Sequence, residues 1–288
     1  MDYHDVFTKA DKAMNSFVEY LVLYALAFWG TVDSSLRNIQ NPKVSLRIAG
    51  IIITKSRAAS PYLTSNVGED LFTTALSPMV NHWRSVSKQN TIIPIGSYDI
   101  VAHMTDKDVS PLYTDWVSVF RKRARRKAAA MEGPPCKLTD KIAGLIVYDN
   151  FAFDGLHRTI ASMSKVLAGS DQSLTAKKSP RLIWTKKIVD TISNALKDAS
   201  CMSAPKEHVP PGTPIAPILA GDLWPTGKQC ESVDYEPDAT TCWETSIVDT
   251  RSNCTFLSCL SQSPGVAAVC VRVGLLTLDG SFCNAENT

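Results

Sequence analysis

The positions of the cysteines constrain this chain more than any other feature of its sequence. Eight cysteines occur among 288 residues, and seven of them lie in the last 88. In chain order they are Cys136, Cys201, Cys230, Cys242, Cys254, Cys259, Cys270 and Cys283. Six cysteines between residues 230 and 283 predict a small module held by disulfides, which form in oxidising compartments. A zinc site is the alternative, but it favours CxxC pairs or nearby histidines, and neither occurs there.

Charge divides the chain at nearly the same place. Residues 1–204 hold 26 basic and 18 acidic residues, whereas residues 205–288 hold 4 basic and 10 acidic ones. The composition as a whole is globular, with 44% hydrophobic and 20% charged residues. The small net charge of +2 argues for no particular partner, and we expect no nucleic-acid partner.

Hydrophobic periodicity predicts an α/β sheet domain before the cysteine-rich part, because strand and helix patterns alternate. Helices are predicted at 7–30, 69–90 and 154–169, and strands at 44–55, 98–104 and 143–149. Five prolines between residues 203 and 218 favour a stiff linker. The predicted organisation is a sheet domain over 1–202, a linker over 203–218 and a disulfide-rich module over 219–288.

Neither a membrane span nor a signal peptide is predicted. The longest apolar run, from Tyr20 to Val32, has 13 residues without a charge, too few to cross a bilayer. The first residues, Met1 to Asp5, are acidic where the start of a signal peptide is basic. We therefore expect the amino terminus to be internal to a longer or processed protein.

Four segments of the first 202 residues resemble, in their order, the catalytic domain of reprolysin-type (adamalysin) zinc metalloproteases. They are NPKVSLRIAGIIITKS, YDIVAHMTDKDV, PPCKLTDKIAGLIVYDN and FDGLHRTIASMSKVLAGSDQS. The similarity is greatest to the secreted forms from tick saliva. The resemblance implies a metzincin-like fold, a mixed twisted sheet with long helices, of which this chain would hold an N-terminally incomplete copy.

The cysteine-rich part is similar to the disintegrin-like module of ADAMTS proteins. It contains LAGDLWPTGKQC, then Cys254-Thr-Phe-Leu-Ser-Cys259, then LDGSFC, where the family has LPGxxYxxxxQC, CxxLWC and DGTxC. The family module has eight cysteines and this stretch has six, so we expect its C-terminal end to be truncated. Six cysteines allow 15 pairings, and the sequence does not choose among them. For the remaining two, the resemblance implies a bridge between Cys136 and Cys201.

The zinc chemistry of that family is absent from this sequence. Active members hold zinc with the three histidines of HExxHxxGxxH and use its glutamate as the general base. The ligand positions here fall on Ala161, Lys165 and Asp171, and the base position falls on Ser162. His157 matches a histidine that the family often carries upstream, and Trp184 takes the place of the Met-turn methionine. We therefore predict no catalytic residue, no metal ligand and no cofactor.

Lys165 and Asp171 have two interpretations. They form an ion pair that fills the empty metal position, or both simply point to solvent. The resemblance in either case implies a secreted, catalytically inactive protein that binds matrix, haemostatic or cell-surface targets. A zinc-dependent metalloendopeptidase is the alternative, which requires that the helix is misaligned.

Two surface features fit an extracellular protein. Asn253 stands in an Asn-Cys-Thr sequon and is a candidate glycosylation site. Six of the seven residues from 121 to 127 are basic, which suits sulfated glycans, a convertase cleavage site or a solvated face. The basic residues of this run are Arg121, Lys122, Arg123, Arg125, Arg126 and Lys127.

If the basic run binds sulfated glycans, replacing Arg125 and Arg126 by alanine removes two charges from the contact. We expect the variant to leave a heparin column at clearly lower salt than the parent, because such binding is electrostatic. Unchanged elution, with elution from a sulfonate column as the control for net charge, would rule out a glycan site.

Overall fold

The computed structural model describes residues 14–37, 39–54, 57–63, 74–89, 93–105, 128–138, 141–149, 153, 155–169, 184–203, 219–234, 256–261, 269–278 and 281. This part of the chain is mixed α/β, with a small mixed sheet, several helices and two disulfides. An α/β fold was predicted and is present. Its assignment to the metzincin class stays a prediction.

The first helix, α1 (Met14–Leu36), is the centre of the larger core. It runs for 23 residues with few charges, and from Val18 to its end only Glu19 is exposed. A helix that is apolar on all sides is buried on all sides. The helix was predicted to end at residue 30, but it continues to Leu36.

The sheet has three strands with β3 in the middle. Strand β1 (Ile100–Thr105) runs parallel to β3 (Ala143–Tyr148), and β2 (Ala128–Ala130) runs antiparallel to it. Five of the six residues of β3 are buried, as expected for a central strand with a continuous apolar sequence. The strands predicted at 98–104 and 143–149 are therefore confirmed, whereas β2, with only three alanines, was not predicted.

The prediction of a buried strand at residues 44–55 is wrong. The described part of this segment, residues 44–54, lies outside the sheet, and only Val44 and Thr54 are buried. The Leu46 amide donates to the Asp33 carboxylate of α1 at 2.6 Å. This bond ties the start of the segment to the helix rather than to a strand of the described sheet.

Helices cover both sides of the sheet. Helix α2 (Leu76–Gln89) packs in a smaller core, while α3 (Leu156–Ala168) and α4 (Lys186–Leu196) join the core around α1. The apolar face predicted for α3 is confirmed. Its four predicted members are all buried, namely Leu156, Ile160, Met163 and Leu167. A short helix α5 (Ser200–Ser203) follows α4.

The C-terminal part adds two helices and a hairpin. Helices α6 (Ala220–Leu223) and α7 (Thr226–Asp234) precede strands β4 (Phe256–Ser261) and β5 (Val269–Leu276), which pair antiparallel. Trp224 lies between α6 and α7, with its ring 4.7 Å from that of Tyr20 and 5.2 Å from that of Tyr24. This part of the chain thus shares a core with α1. Most of the predicted linker lies outside the described residues, so the domain boundary stays a prediction.

Two disulfides link segments of the described chain that are distant in sequence. Cys136 and Cys201, 65 residues apart, join the 3₁₀ turn Pro135–Lys137 to α5. This is the pair that the resemblance implies. Cys230 and Cys259 join α7 to β4, and both are fully buried. Cys270 lies in β5, while Cys242, Cys254 and Cys283 lie outside the described residues.

No helix in the described ranges combines the length and the apolar character that crossing a bilayer requires. The apolar stretch of α1 is used within the protein, since its side chains fill the core.

Replacing Trp224 by alanine tests how far the core depends on the C-terminal part. Trp224 is 2% exposed, so its truncation leaves a large cavity beside α1, and we expect a loss of about 3–5 kcal/mol in the free energy of unfolding. Leu219 to alanine is the control, because Leu219 is 41% exposed and its loss should cost under about 0.5 kcal/mol. Urea unfolding measures both, and equal effects would contradict a shared core.

Candidate functional site

Helix α3 is the candidate site, because it carries the positions that the resemblance aligns with the zinc-binding helix of the reprolysin family. It follows the central strand β3 directly in the chain, so its start lies at the carboxyl end of that strand. The interactions at its two ends fix which side of the helix faces the core and which faces outward.

A buried carboxylate organises the start of α3. Asp149, fully buried just after β3, accepts hydrogen bonds from the Tyr24 hydroxyl and, at 3.1 Å, from the Gly155 amide. The Tyr24 oxygen also accepts the Phe153 amide at 2.9 Å. A negative charge at the start of a helix is favourable, and two donors offset the cost of burying it. Asp149 therefore links β3, α1 and α3.

Residue 155 must be a glycine, because a side chain at this point would not fit. A Cβ at this residue would overlap the Tyr148 carbonyl oxygen and press on the Val147 and Asp149 side chains. Any larger residue would push the start of α3 away from the end of β3. The glycine thus allows the short step from strand to helix that brings its amide to Asp149.

The other end of α3 closes on the loop after β2. Gly169 has a left-handed backbone, with φ of +69°, and its amide donates to the Lys165 carbonyl at 2.8 Å. The Gly133 amide donates to the same carbonyl, also at 2.8 Å. The Lys165 ammonium lies 3.7 Å from the Glu132 carboxylate, which is 69% exposed. Such an exposed pair contributes little to stability.

The residues at the zinc positions do not fit a zinc ion. Ala161, Ser162 and Lys165 lie together on the half-buried side of α3, as their helical spacing predicts. Alanine offers no donor atom, and the ammonium of Lys165 brings a positive charge to the place of a dication. Within the described ranges, no three His, Cys, Asp or Glu residues come together as a metal site. Asp171 lies outside these ranges, so its pairing with Lys165 stays a hypothesis.

Neither His157 nor Trp184 supplies the missing chemistry. His157 is exposed at the start of α3. Partial shielding from solvent is the larger cause of its lowered pKa, and the positive charge of the nearby Arg158 is the smaller cause. Trp184, at the Met-turn position, is buried and donates through Nε1 to the Ser35 carbonyl at 2.8 Å. Trp184 is therefore a core residue that ties the segment before α4 to α1.

The buried histidine of β1 has a structural role. Tyr62 and the Nδ1 atom of His103 share a hydrogen bond at 2.9 Å, and Trp83 of α2 donates to the Tyr62 oxygen at 2.9 Å. The chain of bonds joins β1 to α2 through Tyr62.

The motif residues of the C-terminal part meet around Gln229. Its side-chain amide donates to the Trp224 carbonyl and the Ser281 hydroxyl, each at 2.8 Å, and its oxygen accepts the Leu278 amide at 3.3 Å. Cys230 beside it carries the disulfide to Cys259. The sequence pattern identified the QC and DGSFC motifs, but it did not predict that a hydrogen bond between Gln229 and Ser281 connects them.

Several residues that the sequence singled out lie outside the described residues. They are the basic residues Arg121, Lys122, Arg123, Arg125, Arg126 and Lys127, and the sequon residue Asn253. Glycan binding and glycosylation therefore stay predictions.

The comparisons with known proteins support only a distant form of the resemblance. No protein-family model matches the chain. A protein of Bombyx mori described as "A disintegrin and metalloproteinase with thrombospondin motifs like" is 32% identical to it over 87 residues. The match covers 30% of this chain but only 12% of that protein. It supports a distant relationship to ADAMTS-like proteins.

Replacing Tyr24 by phenylalanine tests the role of the buried carboxylate. The variant keeps the ring and removes one donor to Asp149, so we expect a loss of about 1.5–3 kcal/mol in the free energy of unfolding. The control is Ser87 to alanine, which breaks a 2.9 Å bond between the neutral hydroxyls of Ser87 and Tyr98 and should cost about 1 kcal/mol. A smaller loss for Tyr24 than for Ser87 would contradict the role given to Asp149.

Proposed function

We propose that this chain is a secreted, catalytically inactive relative of the reprolysin metalloproteases that acts as an extracellular binding protein. Its targets are matrix, haemostatic or cell-surface proteins, the classes that the family resemblance implies. Sulfated glycans are a further candidate ligand through the run 121–127. The proposal combines a retained scaffold with the loss of the chemistry that the scaffold carries in active members.

The observation that carries the proposal is the placement of Ala161, Ser162 and Lys165. They lie on one side of α3, so the helix has the geometry to present side chains at the family's ligand positions, but the side chains are not ligands. Loss of a general base alone typically costs about 10²–10⁴ in rate, and here the aligned metal ligands are lost as well.

Two further observations support the extracellular part of the proposal. The chain forms two disulfides in the described residues, and the Cys230–Cys259 bridge is fully buried. Bridges of this kind persist in oxidising compartments. The second observation is the partial match to a protein described as "A disintegrin and metalloproteinase with thrombospondin motifs like". This match is consistent with an extracellular protein.

The Gln229 network is a further argument for a binding role of the C-terminal part. The residues of the three motif steps are joined by a disulfide and by hydrogen bonds that are buried or half-buried, which makes a stable scaffold. Loops held by a rigid scaffold commonly carry binding residues.

Zinc content tests the proposal and the alignment together. The purified parent chain should hold far less than one zinc per molecule and should not cleave casein or gelatin. The variant Ala161→His/Lys165→His/Asp171→His restores the three aligned ligands, so we expect it to bind about one zinc per molecule. Elemental analysis after dialysis measures both proteins, with Glu132→His/Arg158→His/Lys186→His as the control for added histidines elsewhere.

Stoichiometric zinc in the parent, with casein cleavage that a chelator abolishes, would establish the metalloendopeptidase alternative. Failure of the restored variant to bind zinc, when it folds like the parent, would show that the alignment of α3 is wrong. The binding role requires in addition saturable, chelator-insensitive binding of the parent to immobilised matrix proteins or fibrinogen. Reduced and alkylated protein serves as the control for non-specific adsorption.

A further inference from the structure

The two disulfides of the described residues differ in their access to solvent. Cys230 and Cys259 are both fully buried, whereas Cys136 and Cys201 are both half-buried. Thiol–disulfide exchange requires that a thiolate reach one of the two sulfur atoms, and accessible bridges are the labile ones. Of these two bridges, Cys136–Cys201 is therefore the one that a reductant reaches first.

Cys136 lies in the connection between the antiparallel strands β2 and β3. We call residues 131–142 the β2–β3 connection; its described residues are 131–138, 141 and 142. The bridge fixes the 3₁₀ turn of this connection to α5, and between its two cysteines the chain passes through β3, α3 and α4. The bridge therefore limits how far the connection and α5 can separate.

The backbone of the β2–β3 connection is strained at Lys141. Its φ of +54° lies in the left-handed region, where a Cβ crowds the backbone and which residues other than glycine seldom adopt. The Lys141 amide donates to the Leu138 carbonyl at 3.0 Å, so this residue closes the part of the connection that follows Cys136. Residues in this region persist where the surrounding structure holds them, so the strain is released when the connection is free to change shape.

The start of the β2–β3 connection contacts α3, the candidate site. Gly133 has a positive φ of +101°, and its amide donates to the Lys165 carbonyl at 2.8 Å. The Glu132 carboxylate lies 3.7 Å from the Lys165 ammonium. Lys165 stands at one of the aligned ligand positions, so a change of shape in the connection reaches the candidate site directly.

We propose that the Cys136–Cys201 bridge is a redox switch, which a dithiol reductant opens while the Cys230–Cys259 bridge stays closed. In the oxidised protein the bridge holds the β2–β3 connection beside α5 and keeps Lys141 in its strained conformation. In the reduced protein Lys141 relaxes, the connection separates from α5 and the bond between Gly133 and α3 opens. The inference does not depend on the proposed function, because it uses only the two bridges and the connection.

The reaction is thiol–disulfide exchange. A thiolate of the dithiol attacks the Sγ atom of Cys136 or Cys201, so a mixed disulfide forms and the bond between the two cysteines breaks. The released thiolate takes up a proton. The second thiolate of the reductant then attacks the mixed disulfide, so the reductant leaves as a disulfide and both cysteines become thiols. Two electrons and two protons pass from the dithiol to the bridge, and no other reactant is needed.

Selective reduction is the first test. The full chain is equilibrated at increasing ratios of reduced to oxidised dithiothreitol, free thiols are trapped with N-ethylmaleimide, and peptide mass spectrometry measures the labelled fraction of each cysteine. We expect Cys136 and Cys201 to reach half labelling at a ratio at least about tenfold lower than Cys230 and Cys259.

Variants of Lys141 test whether strain in the connection favours opening. Lys141→Gly removes the strain from the oxidised protein, so half labelling of Cys136 should need a ratio about fivefold higher than in the parent. Lys141→Ala is the matched control. It removes the same charge but keeps a Cβ and the strain, so its ratio should stay within about twofold of that of the parent.

Hydrogen exchange measures the opening of the connection. After selective reduction, the amides of Gly133 and Lys141 should exchange at least about tenfold faster, while those of β3 keep their protection. The variant Cys136→Ser/Cys201→Ser should show the same pattern without any reductant.

Reduction of both bridges at the same ratio, or of Cys230–Cys259 first, would overturn the proposal. Equal ratios for Lys141→Gly and Lys141→Ala would show that reduction does not release the strain, and unchanged exchange at Gly133 would show that the connection stays closed. Either result contradicts the switch. Loss of protection in β3 together with the connection would make the bridge a support of the whole fold, which would also overturn the proposal.

Discussion

The carboxylate of Asp149 is the constraint on which the described fold depends most. It is buried where β3 ends and α3 begins, and it binds the Tyr24 hydroxyl of α1 and the Gly155 amide. A carboxylate placed there without donors would cost several kcal/mol, so the three elements must keep their relative positions for it to be satisfied. The apolar contacts between them supply the larger part of the stability, while Asp149 selects one arrangement among those that apolar packing would permit.

The same arrangement connects the C-terminal part of the chain to the N-terminal part. Tyr24 donates to Asp149, and its ring meets that of Trp224 in a T-shaped contact. Phe153, whose amide donates to the Tyr24 oxygen, packs against both rings. Trp224 in turn offers its carbonyl to Gln229, which holds Leu278 and Ser281. Side chains in direct contact couple energetically, so the start of α3 and the motif residues around Gln229 belong to one packed region.

The sequence predicted the elements that local patterns define. The strands β1 and β3 and the buried face of α3 carry clear apolar periodicity, and each is present near its predicted place. It predicted neither β2, whose three alanines carry no strand signal, nor the Asp149–Tyr24 bond between residues 125 positions apart. The segment 44–54 shows the limit most clearly, because its composition suits a buried strand and only the tertiary structure decides whether it joins a sheet. A polar residue directly after a buried strand and before a helix, as at Asp149, was the available signal for the missed site.

The groups that hold helix α3 in place are separate from the positions that the resemblance aligns with zinc ligands. The groups that stabilise it are the buried apolar face, the carboxylate of Asp149 at its start and the left-handed Gly169 at its end. Ala161, Ser162 and Lys165 lie on the other, half-buried side, where substitutions usually change stability by less than about 0.5 kcal/mol. The packing of the helix therefore places no strong demand on the side chains at these three positions. The position of α3 therefore depends on Gly155, Asp149, Gly169 and the buried face, and it does not determine which side chains stand at the aligned ligand positions.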